Sequence, residues 1–135
     1  MNAFNLGDYV DVPTRLAMAL KKYPDLIKGN SFMYANQLWV SDITYLKVNQ
    51  KWAYLFLITD AVSHKIVGYH LSKRMDALSA VMALKMALKT ENPAKNLIHH
   101  SDRGIQYCCY DYVNYLKGSK VKISMTENGD PYENA

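Results

Sequence analysis

Two aspartates stand where their residue type is least expected. Asp42 lies in the middle of LWVSDITYLKV, residues 38–48, an alternating run rich in β-branched and aromatic side chains that reads as a strand. Asp102 closes a second apolar run, NLIHHSD. Aspartate is depleted in strands, and an unpartnered carboxylate is costly to bury. A rule broken inside an otherwise consistent element marks where a functional site is expected. If the two strands are neighbours in one sheet, the carboxylates converge at one edge. There they repel, unless one takes a proton or a cation lies between them. Magnesium prefers oxygen ligands and keeps part of its water shell, so a carboxylate pair together with substrate phosphates suits it. Two such ions about 4 Å apart favour phosphodiester displacement, activating the attacking oxygen and stabilising the leaving one. The plainer alternative is that both aspartates cap turns or satisfy backbone amides.

The elements that must position this pair follow from the periodicity. The first strand ends at Asn49-Gln50, and WAYLFLITD at 52–60 is apolar on both faces, as in a covered central strand. HKIVGYHL at 64–71 forms a third strand, and the short connections imply an antiparallel meander. The period then changes. Residues 75–89 predict a helix with Asp76 as N-cap, Leu78, Val81, Met82 and Leu88 on its core face, and methionines as core fillers. Glu91-Asn92-Pro93 stops it. Residues 96–100 make a fourth strand. A second helix then turns Ile105, Cys108, Cys109, Tyr112 and Leu116 inward before Gly118 ends it, and 120–124 make a fifth strand. The series predicts an α/β fold: a mixed five-stranded sheet, an antiparallel three-strand meander followed by βαβαβ-type segments, with helices on its faces.

With 135 residues the chain is one domain's worth. Half its residues are hydrophobic and 21% are charged, which excludes a disordered polymer. The net charge of +4 leans toward a polyanionic partner. Cys108 and Cys109 are adjacent, without zinc-site spacing or a disulfide framework. Neither a signal peptide nor an apolar run long enough for a membrane span is present, so a reducing, cytoplasmic setting is expected.

Four ordered blocks add a resemblance: WVSDITY (39–45), LITDAVSHKIVGYHL (57–71), LIHHSDRGIQY (97–107) and ISMTENGDPYENA (123–135). They resemble the catalytic core of bacterial insertion-sequence transposases of the OrfB type, in the DDE, retroviral-integrase-like superfamily. The resemblance implies a ribonuclease H-like fold, two magnesium or manganese ions, and cleavage and joining of double-stranded DNA at element ends and target. It also implies a homo-oligomer in the full-length protein and a bacterial cytoplasm. Asp42 and Asp102 match the first two acids of that family's metal-binding triad. The third, a glutamate on a final helix, belongs a few residues past the ENA block, and Glu133 reads as a helix cap. Residues 37–135 are therefore expected to be an integrase-like catalytic core lacking its final helix, and inactive or nearly so. Residues 1–36 read as an N-terminal extension and linker, with a short helix from Pro13 and no assigned function. The rival expectation is a non-catalytic transposase remnant that binds DNA or a full-length transposase. A ribonuclease acting on RNA–DNA hybrids rests on fold-level analogy alone.

The neighbours of the pair complete the reading. His99 and His100 point to opposite faces of a strand, so one of them lines the site. His100, Arg103, Lys73 and Arg74 are carried as candidate DNA or phosphate contacts, and Lys65 belongs with the same basic surface. Gly104 permits a tight turn behind Asp102, and Asp60 is expected to organise a turn. Trp39, Trp52 and the tyrosines are read as core area and not as base-stacking surfaces.

Overall fold

The computed structural model describes residues 23–93 and 95–127. The helix expected from Pro13 and the capping signals between Asp130 and Glu133 lie outside the described residues.

Five strands form one sheet in the order β3-β2-β1-β4-β5. β1 is Leu38–Val48, β2 Lys51–Asp60, β3 Ile66–Ser72, β4 Ile98–Ser101 and β5 Lys122–Met125. β1, β2 and β3 pair antiparallel, whereas β4 runs parallel to both β1 and β5. Asn49 and Gln50 both hold positive φ (50° and 65°), the tight turn that joins twisted antiparallel strands. The boundaries of the strands and of the first helix differ from the sequence expectation by no more than two residues.

α1 (Ala77–Glu91) starts where Asp76 accepts the Ser79 amide and stops where Asn92, in the left-handed region, donates its amide to the Leu88 carbonyl. Its buried face corrects the expectation in part. Val81 is buried and Leu88 packs against the core as expected, and Ser79, Ala80, Ala83, Leu84 and Ala87 are buried with them, while Leu78 is 65% exposed and Met82 and Met86 are exposed as well. The reason lies on β3. A Cβ on Gly68 would meet the Ala83 carbonyl oxygen at 2.3 Å and the Ala87 Cβ at 2.9 Å. The helix backbone rests directly on the sheet there, so the face that turns inward is the one with small side chains.

The second predicted helix is two. α2 (Ile105–Cys108) and α3 (Tyr110–Gly118) are separated by Cys109, whose backbone is extended (φ −68°, ψ 148°). At about 100° per residue, one straight helix would point Tyr107 and Leu116 to opposite sides. The break lets both be buried, together with Cys108, Tyr112 and Val113. These side chains share a single core with Trp39, Phe56, Ile58, Val67, Leu84 and Ile123. The core therefore sits between the helices and one face of the sheet. Trp52 is excluded from it.

Candidate active site

The parallel pairing of β1 with β4 sets Trp39 beside His99 and Val40 beside His100. Continuing that register by two residues sets Asp42, midway along β1, opposite Asp102, just past the carboxyl end of β4. β4 has already ended at Ser101, so the two carboxylates emerge at an open rim. Crevices at the carboxyl ends of parallel strands are where α/β sheets place ligands.

Asp42 is exposed and its Oδ1 accepts the Ile43 amide at 2.9 Å. Asp102 is half-buried and its Oδ1 accepts the Gly104 amide at 2.7 Å. Each hydrogen bond orients one oxygen, and neither Oδ2 accepts a hydrogen bond among the described residues. A Cβ on Gly104 would lie 2.7 Å from Asp102 Oδ1, so a side chain there would press on that carboxylate. Both acids reach the same two phenols. Partial burial, then Tyr54, then the Asp102 and Asp42 charges push the Tyr45 hydroxyl up. Burial first, then Tyr112 and the same two carboxylates, do so at Tyr107.

A buried polar cluster lies behind the rim, on the helix side of the sheet. His99 Nε2 is 2.6 Å from Ser41 Oγ and 2.7 Å from the Tyr112 hydroxyl, tying β1, β4 and α3 together next to Asp42. Burial holds His99 down to about 3, with the neighbouring His100 acting in the same direction against a backbone hydrogen bond. The ring is therefore neutral and structural near pH 7. Sequence reasoning missed this cluster. Only the strand alternation of His99 and Ser41 hinted that they share a face.

The other candidate residues divide. His100 is buried, with Nδ1 2.8 Å from Ser124 Oγ, which leaves little of it to meet a phosphate. Arg103 is half-buried beside Asp102, and its Nε is buried without a hydrogen-bond partner among the described residues. Lys73 and Arg74 are exposed just past β3, whose Ser72 pairs with Tyr54. Lys65 is 2.8 Å from Glu91 and belongs to an ion pair away from the rim. Asp60 does organise a turn, accepting the Asn36, Val62 and Ser63 amides. The reading of Trp52 and of all the tyrosines as core is corrected. Trp52 is 56% exposed and Tyr45 55%, because both lie on the part of the β1–β2 hairpin that outruns β4.

Among the described residues no group of three or more His, Cys, Asp or Glu side chains is arranged to hold a metal ion. Two hard oxygen donors at an open rim nevertheless suit magnesium or manganese, which fill their remaining positions with water and phosphate.

A mixed sheet of this order, with helices packed on it, is the ribonuclease H-like fold of integrase cores. The chain belongs to the integrase core domain family, whose model matches residues 34–131. This is the family that the four sequence blocks resemble. Over 100 residues the chain is 45% identical to the insertion element IS600 uncharacterized 31 kDa protein of Shigella sonnei, covering 74% of this chain and 37% of that protein. It is 43% identical over 100 residues to transposase InsF for insertion sequence IS3A of Escherichia coli strain K12, covering 74% and 35%. The chain thus spans about a third of the length of the curated relatives it matches. Two solved structures share the fold at low identity. One is the simian T-cell lymphotropic virus intasome with a PP2A regulatory subunit, at TM-score 0.70 and 17% identity, covering 84% of this chain and 39% of that one. The other is the HTLV-2 integrase catalytic core domain in complex with magnesium, at TM-score 0.61 and 18% identity, covering 67% and 60%. No helix among the described residues is long and apolar enough to cross a membrane.

Proposed function

We propose that this chain supplies the catalytic core of a bacterial insertion-sequence transposase, acting on phosphodiesters of double-stranded DNA at element ends and at the target. One observation carries the reading: the parallel register of β1 on β4, extended by two residues, sets Asp42 within β1 opposite Asp102 just past the end of β4, each with one oxygen held by a backbone amide. The family match supports it, as do relatives named as transposases.

Asp42 and Asp102 would hold magnesium or manganese. When bound, such ions activate the attacking oxygen and stabilise the leaving one in an in-line displacement. The chain's own part is positional. The Ile43 and Gly104 amides aim the two carboxylates, and the neutral His99 cluster fixes the strands that carry them. Arg103, half-buried beside Asp102, and the exposed Lys73 and Arg74 add positive charge toward the same substrate. Cleavage would release a 3′-hydroxyl, which then attacks target DNA in the second step. A homo-oligomer of the full-length protein would hold the paired element ends, in a bacterial cytoplasm.

The described residues offer a pair of acids and not a triad. That same observation favours a second reading, a DNA-binding transposase remnant without catalysis. It requires salt-sensitive binding that does not change on Asp42→Asn.

The test is a manganese titration followed by electron paramagnetic resonance, alongside cleavage of an element-end duplex. Manganese binding that is lost in both Asp42→Asn and Asp102→Asn is the expected result. Cutting that survives Asp102→Asn would overturn the assignment.

A further inference from the structure

β1 pairs with β2 along its whole length but with β4 only as far as Val40. Past the carboxylate pair, the β1–β2 hairpin projects with one edge of β1 unpaired among the described residues. Its exposed end does not look like a solvated turn. Tyr45 and Tyr54 face each other across the strands at 5.4 Å, edge to face, and Lys47 sits 5.9 Å over the Trp52 ring. The pairing Tyr45↔Tyr54 and Lys47↔Trp52 sets all four side chains on one face. Tyr45 and Trp52 are each more than half exposed. Lone exposed aromatics are ordinary; a paired stripe of them interleaved with lysine is not.

Beyond the two carboxylates of the site, whose charges reach Tyr45, the segments that carry and follow the stripe are basic. Residues 43–59 contain Lys47 and Lys51 and no acid, and residues 61–75 contain Lys65, Lys73 and Arg74 and no acid. Ser72 pairs with Tyr54, so Lys73 and Arg74 follow directly beside the aromatic pair. The stripe begins three residues after Asp42, about 10 Å along the strand and on the other face of β1 by alternation. The Tyr45 hydroxyl is still within reach of the Asp102 and Asp42 charges at the rim. Aromatic faces with flanking cations are what single-stranded nucleic acid binds: bases stack on the rings while the cations follow the phosphates. An ordered duplex offers no free base faces to such rings.

We propose that the hairpin end, with Tyr45 and Trp52 flanked by Lys47, Lys73 and Arg74, is a stacking platform for unpaired DNA bases next to the phosphodiester held at Asp42 and Asp102. The proposal rests on the transposase reading above and adds the state of the DNA: frayed or tailed at the reacting end.

The experiment compares one labelled DNA duplex, blunt or carrying a short unpaired tail, by fluorescence anisotropy with the full chain. The wild-type chain should bind the tailed DNA about tenfold tighter, the scale of one base stacked on one ring. Trp52→Ala and Tyr45→Ala should each remove most of that preference and leave blunt binding unchanged. Trp52→Phe, which keeps a ring, should retain it. Trp39 is buried and Trp52 exposed, so tailed DNA should quench the exposed component of the emission. Equal affinity for tailed and blunt DNA overturns the platform and leaves the transposase reading standing. So does an equal loss from both DNAs in Trp52→Ala. A wild-type dimer that Trp52→Ala dissociates, with DNA binding unaltered, would assign the stripe to a second copy of the chain and overturn the proposal. Failure to bind any DNA overturns both readings together.

Discussion

Asp60 and Asp42 occupy opposite strands of one antiparallel ladder, a few pairs apart, and the chain treats them in opposite ways. Asp60 is 1% exposed and accepts amides from Asn36, Val62 and Ser63. Asp42 is exposed and accepts the amide of its own neighbour and nothing else among the described residues. Burial alone would push the Asp60 carboxyl up, but the amides of Ser63, Asn36 and Val62 outweigh it and hold the group below its ordinary value. One aspartate is consumed by the fold and the other is left over. A free lone pair on an oriented carboxylate, and not the presence of an acid in a strand, separates the candidate site from its structural look-alike.

The contrast breaks most readily at Asp60. Asp60→Ala strands three backbone amides and should cost about 3 kcal/mol in urea unfolding. Asp42→Ala should cost less than about 0.5 kcal/mol, as for an ordinary surface change. Comparable losses from the two would erase the distinction.

Acid sharpens it next. His99 is held near 3 when folded, against about 6.5 in the unfolded chain, so between those values the unfolded chain binds the extra proton. Its contribution is fully present above pH 6.5 and is lost as pH falls, by about 1.4 kcal/mol per pH unit. Asp60, also depressed, adds a loss of the same sign below about pH 4. His99→Gln should flatten the upper part of the stability–pH curve and leave the lower part. An unchanged slope near pH 5 would show that His99 is not the group responsible.

A smaller effect is expected at Gly104. An added Cβ would press on Asp102 Oδ1, the far end of a side chain that can rotate away. Gly104→Ala should therefore cost no more than about 1 kcal/mol in stability. It should weaken manganese binding about tenfold, the scale on which groups that aim a ligand act. Smallest of all, Asp42→Asn should raise the unfolding free energy by a few tenths of a kcal/mol, by relieving repulsion from Asp102. Any gain should disappear when manganese is added to the wild type.

The strands and the antiparallel meander were legible because alternation, turn residues and connection lengths all point the same way, and the broken rule at Asp42 marked the rim. That β4 lies beside β1 was only a condition of that reading. What was not legible depended on where one strand ends relative to another. Trp52 and Tyr45 look like core residues in any window of sequence. They are exposed because β4 is short, a fact written in residues fifty positions away. The face of α1 was misread because hydrophobicity favours Leu78 and Met82, whereas the missing side chain at Gly68 selects alanine. The break at Cys109 carries neither proline nor glycine. It follows from the need to bury Tyr107 and Leu116 together.

Gly68 also limits how this protein can change. The obstruction facing any new side chain there is the carbonyl of Ala83, which no substitution can shrink. A library searched for second mutations that rescue Gly68→Ala should therefore come back empty at the neighbouring alanines. Only shifts that lift the whole helix would relieve the collision, and these would unseat Leu84 and Ala87 along with it. The joint has no spare clearance, so substitutions that leave it intact are those on the outer side of the helix, where Leu78 and Met82 are exposed.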